Sequence, residues 1–206
     1  DGFNKLGRIV ATTAADIKST WEPLIGYGVN LESQESAGKA QAFYNPKSKT
    51  VFLIADNIRE GDEAAVLAHE LIHKWGKTVL GEEGWNRLHD VINSWKDAPT
   101  NSDERTVYDY ARRHVEAVGM ELSSEEMFPY AVEAAIKMGI KPSMAAKKGT
   151  VARWLESVKQ NLAQVWAKVT GKPETFKAQD LVNLAFGIAQ MENPEHSSVK
   201  HALNGP

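Results

Sequence analysis

The chain has 206 residues and contains no cysteine. This absence excludes disulfide bonds and cysteine-ligated zinc fingers, so any metal site must use histidine and carboxylate side chains. No signal peptide is recognisable either, and together the two absences favour a cytoplasmic location. Because the sequence begins at Asp1 rather than at a methionine, we expect it to be a segment of a larger polypeptide.

The chain also lacks a strong charge and a long apolar run. Its formal net charge is -3, from 24 basic and 27 acidic residues, which gives no electrostatic signature of nucleic-acid binding. No apolar run approaches the roughly 18 residues that a membrane-spanning helix needs. We therefore expect neither a nucleic acid nor a membrane as partner. A modest basic side near the C-terminal helix keeps a nucleic-acid-associated module as an alternative, although a solvated helix face is the preferred interpretation; it comprises Lys147, Lys148, Arg153, Lys159 and Lys168.

The order of apolar patterns predicts an α+β fold. Residues 1–12 show no regular pattern, and Thr13 is a candidate N-cap for a short helix through Trp21. Two strand-like runs at residues 39–44 and 50–55, joined by a turn, predict a β-hairpin whose second strand lies inside a sheet. The next helix is expected to begin after Asp62 and to end near Trp75, with Gly76 as its C-cap. Further helices are predicted near residues 83–95, 104–118, 123–139, 151–169 and 178–191.

The most informative motif is His69-Glu70-Leu71-Ile72-His73, an H-E-x-x-H sequence inside an apolar helical run. Residues four apart lie on the same face of a helix, so both imidazoles can point at one metal ion. Glu70 is rotated about 100° away from His69 and is better placed to act on a bound water. Such a pattern is typical of zinc hydrolases. The alternative, an accidental pair of core histidines, is less favourable because buried imidazoles without partners are costly.

A catalytic zinc site needs a third protein ligand. The metzincin pattern H-E-x-x-H-x-x-G-x-x-H would match its glycine at Gly76, but the last histidine position is Val79, so that subclass is excluded. His89 and His114 lie in segments without a supporting pattern.

The preferred third ligand is Glu126, at the start of a downstream helix, the position from which thermolysin-like enzymes take a glutamate. Glu126 also fits a capping box with Ser123, which is its purely structural interpretation. Pro129 would disturb a helix that began well before it, and a helix beginning at Pro129 would favour Glu133 instead. Glu133 and Glu125 therefore stay as alternative third ligands.

Several segments resemble the zincin-like metallopeptidase domain of large polyvalent proteins, which are encoded by bacteriophages and conjugative elements. The resemblance implies a zincin-like fold, in which a small antiparallel or mixed sheet with an edge strand packs on the active-site helix. It also adds a virion-associated location to the cytoplasmic one. The resemblance covers roughly residues 38–190. We expect a peptidase domain at residues 1–142, a helical extension at 143–192 packed on it and, because few residues there can anchor the chain, a flexible tail at 193–206. The segments that carry the resemblance are Gln41–Lys47, Val51–Ile58, Ala65–Glu70, the helix with Glu125 and Glu126, and Val151–Ala185.

The function predicted from these residues is a zinc metallopeptidase of the gluzincin type. His69, His73 and Glu126 hold Zn²⁺, and Glu70 is the general base that activates water against a peptide bond. Tyr130, four residues after Glu126 on the same helix face, is the nearest candidate for stabilising the oxyanion, although packing is its preferred role.

The substrate is expected to be a peptide or protein, with the parent polypeptide as one candidate. The predicted strand at residues 39–44 could offer a free edge to which an extended peptide adds. Asp90 and Asp109 are candidates for orienting the far nitrogens of the two histidines. The main rival is a catalytically silent zinc-binding module of a phage or conjugation protein, and its purely structural site would not need Glu70.

Overall fold

The computed structural model describes residues 8–17, 40–45, 50–117, 119–121, 125–143, 164–165 and 167–189. Within these residues the chain has a mixed α+β fold, as predicted, with a three-stranded sheet and a larger helical part. None of the helices in this described part combines the length and the apolar character that crossing a membrane requires.

The sheet has the strand order β1-β3-β2, in which β1 is Arg8–Thr12, β2 is Ala42–Asn45 and β3 is Thr50–Ile54. Strands β2 and β3 are antiparallel, which confirms the hairpin; its turn at residues 46–49 lies outside the described residues. Strand β1 runs parallel to β3, so the prediction of irregular structure at residues 1–12 is wrong for residues 8–12, while residues 1–7 lie outside the described residues. The partner of β1 lies far along the chain, and a local pattern cannot show such a pairing.

Strand β3 is the central strand and is buried on both faces, as its apolar sequence predicts. Val51 joins the main core formed with the helices, whereas Phe52 and Ile54 on the other face pack in a small cluster with Ile17 and Ala40. After β1, Thr13 caps the single helical turn α1 (Ala14–Asp16), since its Oγ1 accepts a hydrogen bond from the Asp16 N–H at 3.1 Å. The rest of the helix predicted through Trp21 lies outside the described residues.

Helix α2 spans Glu63–Ser94 and is interrupted once, at Gly81, where φ is 69° and ψ is 170°. The predicted helix end at Gly76 is therefore wrong. A Cβ at Gly76 would lie 2.5 Å from Cζ3 of Trp85, so this glycine allows the two halves of α2 to pack closely. The half after Gly81 corresponds to the predicted second helix. The residues predicted for its inner face are all buried, including Trp95 directly after the helix: Trp85, Leu88, Val91, Ile92 and Trp95.

Three further helices belong to the described core: α3 (Asp103–Ala117), α4 (Met127–Lys137) and α5 (Ala178–Ala189). Helix α4 packs against both α2 and α3, and α5 packs on α2 and α4. Because α4 begins at Met127, Pro129 lies in its first turn, where a missing N–H removes no intrahelical bond.

The C-terminal part packs on the same core. Val165, Val169 and Phe176 join a single buried cluster with the helices before them, together with the inner face of α5. Residues 164–165 and 167–171 are helical, and the rest of the helix predicted at 151–169 lies outside the described residues, as does the predicted tail at 193–206. The domain boundary at residue 142 stays a prediction.

Candidate metal centre and cleft

The first half of α2 brings His69 and His73 together on one face. Their Nε2 atoms lie 3.2 Å apart, and both side chains turn toward α4. His69 is buried at 8% exposure, and Glu70 beside it is buried at 9%. The four-residue spacing brings the two side chains to one face of the helix, as the sequence predicts.

Glu126 stands directly before α4 and completes a group of three donors. Its Oε2 lies 3.1 Å from Nε2 of His73 and 3.4 Å from Nε2 of His69. In a tetrahedral zinc site with bonds of about 2.0–2.1 Å, neighbouring donor atoms are about 3.3–3.4 Å apart. The triangle formed by these three atoms therefore has nearly the dimensions of one face of such a site. In the part of the chain that the structure describes, this is the one cluster found whose geometry could hold a metal ion.

The two alternative third ligands lie elsewhere. Glu125 is exposed and pairs with Lys77. Glu133 is buried, and its Oε2 lies 3.2 Å from Nδ1 of His69, the ring nitrogen that faces away from the triangle. Glu126, Tyr130 and Glu133 do share a helix face: both carboxylates approach His69, and the Tyr130 ring lies edge-on to it with centroids 4.6 Å apart.

Neither aspartate proposed to orient the histidines does so. Asp109 accepts a hydrogen bond from Arg105 at 2.8 Å, and Asp90 is exposed. Glu133 occupies the position that was predicted for them, at the far nitrogen of His69. The sequence signal for it was present, because Glu133 follows Glu126 by two helical turns, but its carboxylate was interpreted only as an alternative ligand.

The charges in this group favour a bound cation. Burial opposes protonation of His69, but the Glu126 and Glu133 carboxylates outweigh it and raise the pKa of His69 to about 10. Burial likewise works against ionisation of Glu133, yet its contacts with His69 and Lys137 lower its pKa to about 2. The pKa of Glu126 is held well below its usual range by both histidines, despite burial. For Glu70, burial dominates and raises the pKa.

A cleft of about 770 Å³ opens beside the group. It runs from Gln41 and Ala42 at the start of β2, past Glu70, to Tyr110 and His114 on α3. His114 lines this cleft without joining the metal-binding group, and its Nδ1 lies 2.9 Å from the backbone oxygen of Tyr110. No local pattern predicts this pair: the four-residue spacing puts both side chains on one face of α3, but only tertiary packing turns that face toward α4.

The remaining candidates have structural contacts. His89 Nδ1 lies 3.0 Å from the Asn93 side chain, and Val79 is buried in the core, so neither belongs to the site. Of the basic side near the C-terminus, only Lys168 lies within the described residues, and its Nζ donates to both carboxylate oxygens of Asp180 at 2.8 and 2.9 Å.

No protein-family model matches the chain, and neither a curated protein nor a solved structure was found to match it. The resemblance to the peptidase domain of large polyvalent proteins therefore stays a prediction, and the geometry of the site is the basis for a functional proposal.

Proposed function

We propose that this chain is a zinc-dependent peptidase in which His69, His73 and Glu126 hold the metal and Glu70 is the general base. The observation that carries the proposal is the triangle of two Nε2 atoms and one carboxylate oxygen, with sides of 3.1, 3.2 and 3.4 Å. Structural zinc sites use four protein ligands, whereas catalytic sites use three and leave one position for water or substrate. A group of three ligands, of which His69 lines the cleft together with Glu70, supports a catalytic site.

The chemistry divides between the metal and the chain. A bound zinc ion lowers the pKa of water toward about 7 and polarises a carbonyl group. Glu70 lines the cleft, and burial raises its pKa, which brings this carboxylate closer to the pKa of an effective proton acceptor at neutral pH. It accepts a proton from the attacking water and passes it to the leaving amine, so that one peptide bond becomes a carboxylate and an amine.

Tyr130 is a candidate donor to the oxyanion. It lines the same cleft, and burial together with the Glu126 carboxylate raises the pKa of its phenol, so the hydroxyl keeps its proton. A protonated phenol can donate a hydrogen bond to a developing negative charge.

The sheet supports an extended peptide as the substrate. Strand β2 pairs with β3 along one side, and no other strand pairs with it among the residues that the structure describes. Gln41 and Ala42 line the cleft, so an extended peptide that added to the outer side of β2 would pass close to Glu70. This combination of an edge strand, an H-E-x-x-H helix and a downstream glutamate supports a zincin-like domain.

The decisive experiment compares the wild-type chain with Glu70→Gln. We expect both proteins to bind one zinc ion per chain by elemental analysis. Cleavage of a broad peptide library should fall by about 10²- to 10⁴-fold in the variant, because the general base is lost. Glu83→Gln is the matched control, since Glu83 is an exposed residue of the same helix that pairs with Arg87, and it should leave cleavage unchanged.

The outcomes separate the rival functions. A wild-type chain that binds no zinc would refute the metal site. A chain that binds zinc but cleaves no peptide of the library would instead support a silent zinc-binding module.

A further inference from the structure

Glu133 is a buried carboxylate that links three helices. At 6% exposure it lies on α4, and its Oε2 is 3.2 Å from Nδ1 of His69 on α2. Its other oxygen accepts a hydrogen bond from the Tyr110 hydroxyl on α3 at 2.9 Å and pairs with Lys137 Nζ at 2.8 Å. Burying a charged group costs free energy unless partners compensate for it. The several partners of Glu133 hold its carboxylate in one orientation.

The contact with His69 has one unusual feature. Nδ1 of His69 is buried and makes no hydrogen bond of regular geometry, although the Glu133 oxygen is within reach. If Nε2 of His69 is the metal ligand, the ring proton must reside on Nδ1, because a metal-bound nitrogen cannot carry a proton. A proton on Nδ1 would face the Glu133 carboxylate, and a buried N–H gains most from such a charged acceptor.

Lys137 and Asp62 extend this arrangement to the start of α2. Asp62 occupies the N-cap position of α2, yet its side chain makes no capping hydrogen bond. Its Oδ2 instead lies 3.2 Å from Lys137 Nζ, so the lysine lies between Asp62 and Glu133. The positive charge of Lys137 stabilises Glu133 in its ionised form, which is the form that can accept a proton from Nδ1 of His69.

We infer that Glu133 is a positioning residue, which fixes the ring and the tautomer of His69 so that Nε2 is free to bind a metal ion. Tyr110 and Lys137 hold Glu133 in place, and Asp62 holds Lys137. This inference rests on the proposed metal site. It explains why Glu126, directly before α4, and Glu133, within α4, approach the same imidazole: Glu126 is on its metal-binding side and Glu133 on its far side.

The test measures zinc binding to the metal-free chain with no substrate present. Glu133→Gln keeps the size of the side chain and an acceptor oxygen but removes the charge, and we expect zinc affinity to fall by about 10- to 100-fold. Glu116→Gln is the control, since it neutralises an exposed glutamate that pairs with Arg112, and it should not change the affinity. Visible absorption of bound Co²⁺ gives a second readout: its spectrum should change in Glu133→Gln, because the field at the metal depends on the orientation of His69.

A second variant covers the case in which Glu133→Gln does not fold. Tyr110→Phe removes one hydrogen bond to Glu133, and we expect a smaller loss of zinc affinity, about 2- to 10-fold. The inference is overturned if the wild type binds zinc and a folded Glu133→Gln, or failing that Tyr110→Phe, binds it equally well. A wild-type chain without zinc affinity would instead refute the proposed function itself, so the two failures are distinguishable.

Discussion

The two adjacent glutamates directly before α4 have opposite surroundings. Glu126 turns inward and reaches both histidines, whereas Glu125 turns outward, where it pairs with Lys77. Glu126 has helical backbone angles, with φ -78° and ψ -20°, and neighbouring residues of a helix differ in direction by about 100°, so one position can face the core while its neighbour faces solvent. The chain thus provides a matched pair of variants for identifying the third ligand.

We expect Glu126→Gln to weaken zinc binding by more than about 100-fold. Even the loss of a residue that only supports a ligand costs about 10- to 100-fold, and Glu126 is proposed to touch the metal. Glu125→Gln should bind zinc like the wild type. Competition with a chromophoric chelator measures both affinities, and equal weakening in the two variants would contradict the assignment of Glu126.

At the scale of the element, the packing of α2 against itself depends on Gly76. The helix folds back at Gly81, and Trp85 in its second half then lies directly against the first half. The Trp85 ring also packs edge-on against Phe128, with centroids 5.3 Å apart, so it has little room to move. This contact lies one turn after His73 and supports the part of α2 that carries the site.

Gly76→Ala should lower the free energy of unfolding by up to about 2 kcal/mol. Alanine favours a helix over glycine by about 1 kcal/mol, but a Cβ placed against a buried ring costs about 1–3 kcal/mol in strain. Gly171→Ala is the control, because a Cβ there meets no atom within 4 Å, and it should leave stability unchanged or slightly higher. Urea denaturation of the two variants measures the difference, and a stabilised Gly76→Ala would show that the ring can yield.

The helices themselves were largely predictable, and their ends less so. Buried residues recur with the helical period in α2, α3 and α4, and this period is a local property of the sequence. The sequence therefore predicts these helices and the shared face of His69 and His73. The end of the first half of α2 was predicted at the wrong glycine, because a glycine can either end a helix or make room for a neighbouring side chain. Gly76 and Gly81 look alike in sequence, and only packing shows that the first makes room for a ring and the second turns the chain.

The features that the sequence could not predict depend on contacts between residues far apart along the chain. Strand β1 was missed because its partner β3 is distant, and the cleft was missed because it joins the start of β2 to α3 across α2. Glu126 was predicted because thermolysin-like enzymes also take a glutamate ligand from a helix downstream of the H-E-x-x-H helix. The role of Glu133 was not, since only the packing of α4 on α2 turns its carboxylate toward Nδ1 of His69.

The same packing makes a metal ion a link between α2 and α4. A ligand that binds only the folded chain stabilises it by about 2.7 kcal/mol at a concentration 100 times its dissociation constant. In the metal-free chain a proton on His69 also stabilises the folded state, because the Glu126 and Glu133 carboxylates raise the pKa of His69 from 6.5 to about 10. A raised pKa contributes stability that is complete below pH 6.5 and is lost as the pH rises through about 10.

Zinc should therefore stabilise the protein more at pH 8.5 than at pH 6.5, a range that lies below the His69 pKa of about 10. With rising pH the metal-free chain loses the contribution of the His69 proton, while zinc competes with fewer protons for the same nitrogen. Chemical denaturation with zinc or with a chelator, at each pH, measures the difference in unfolding free energy. Groups remote from the site titrate alike in both samples and cancel in that difference. A difference that stayed constant or shrank over this range would contradict the view that proton and metal compete for His69.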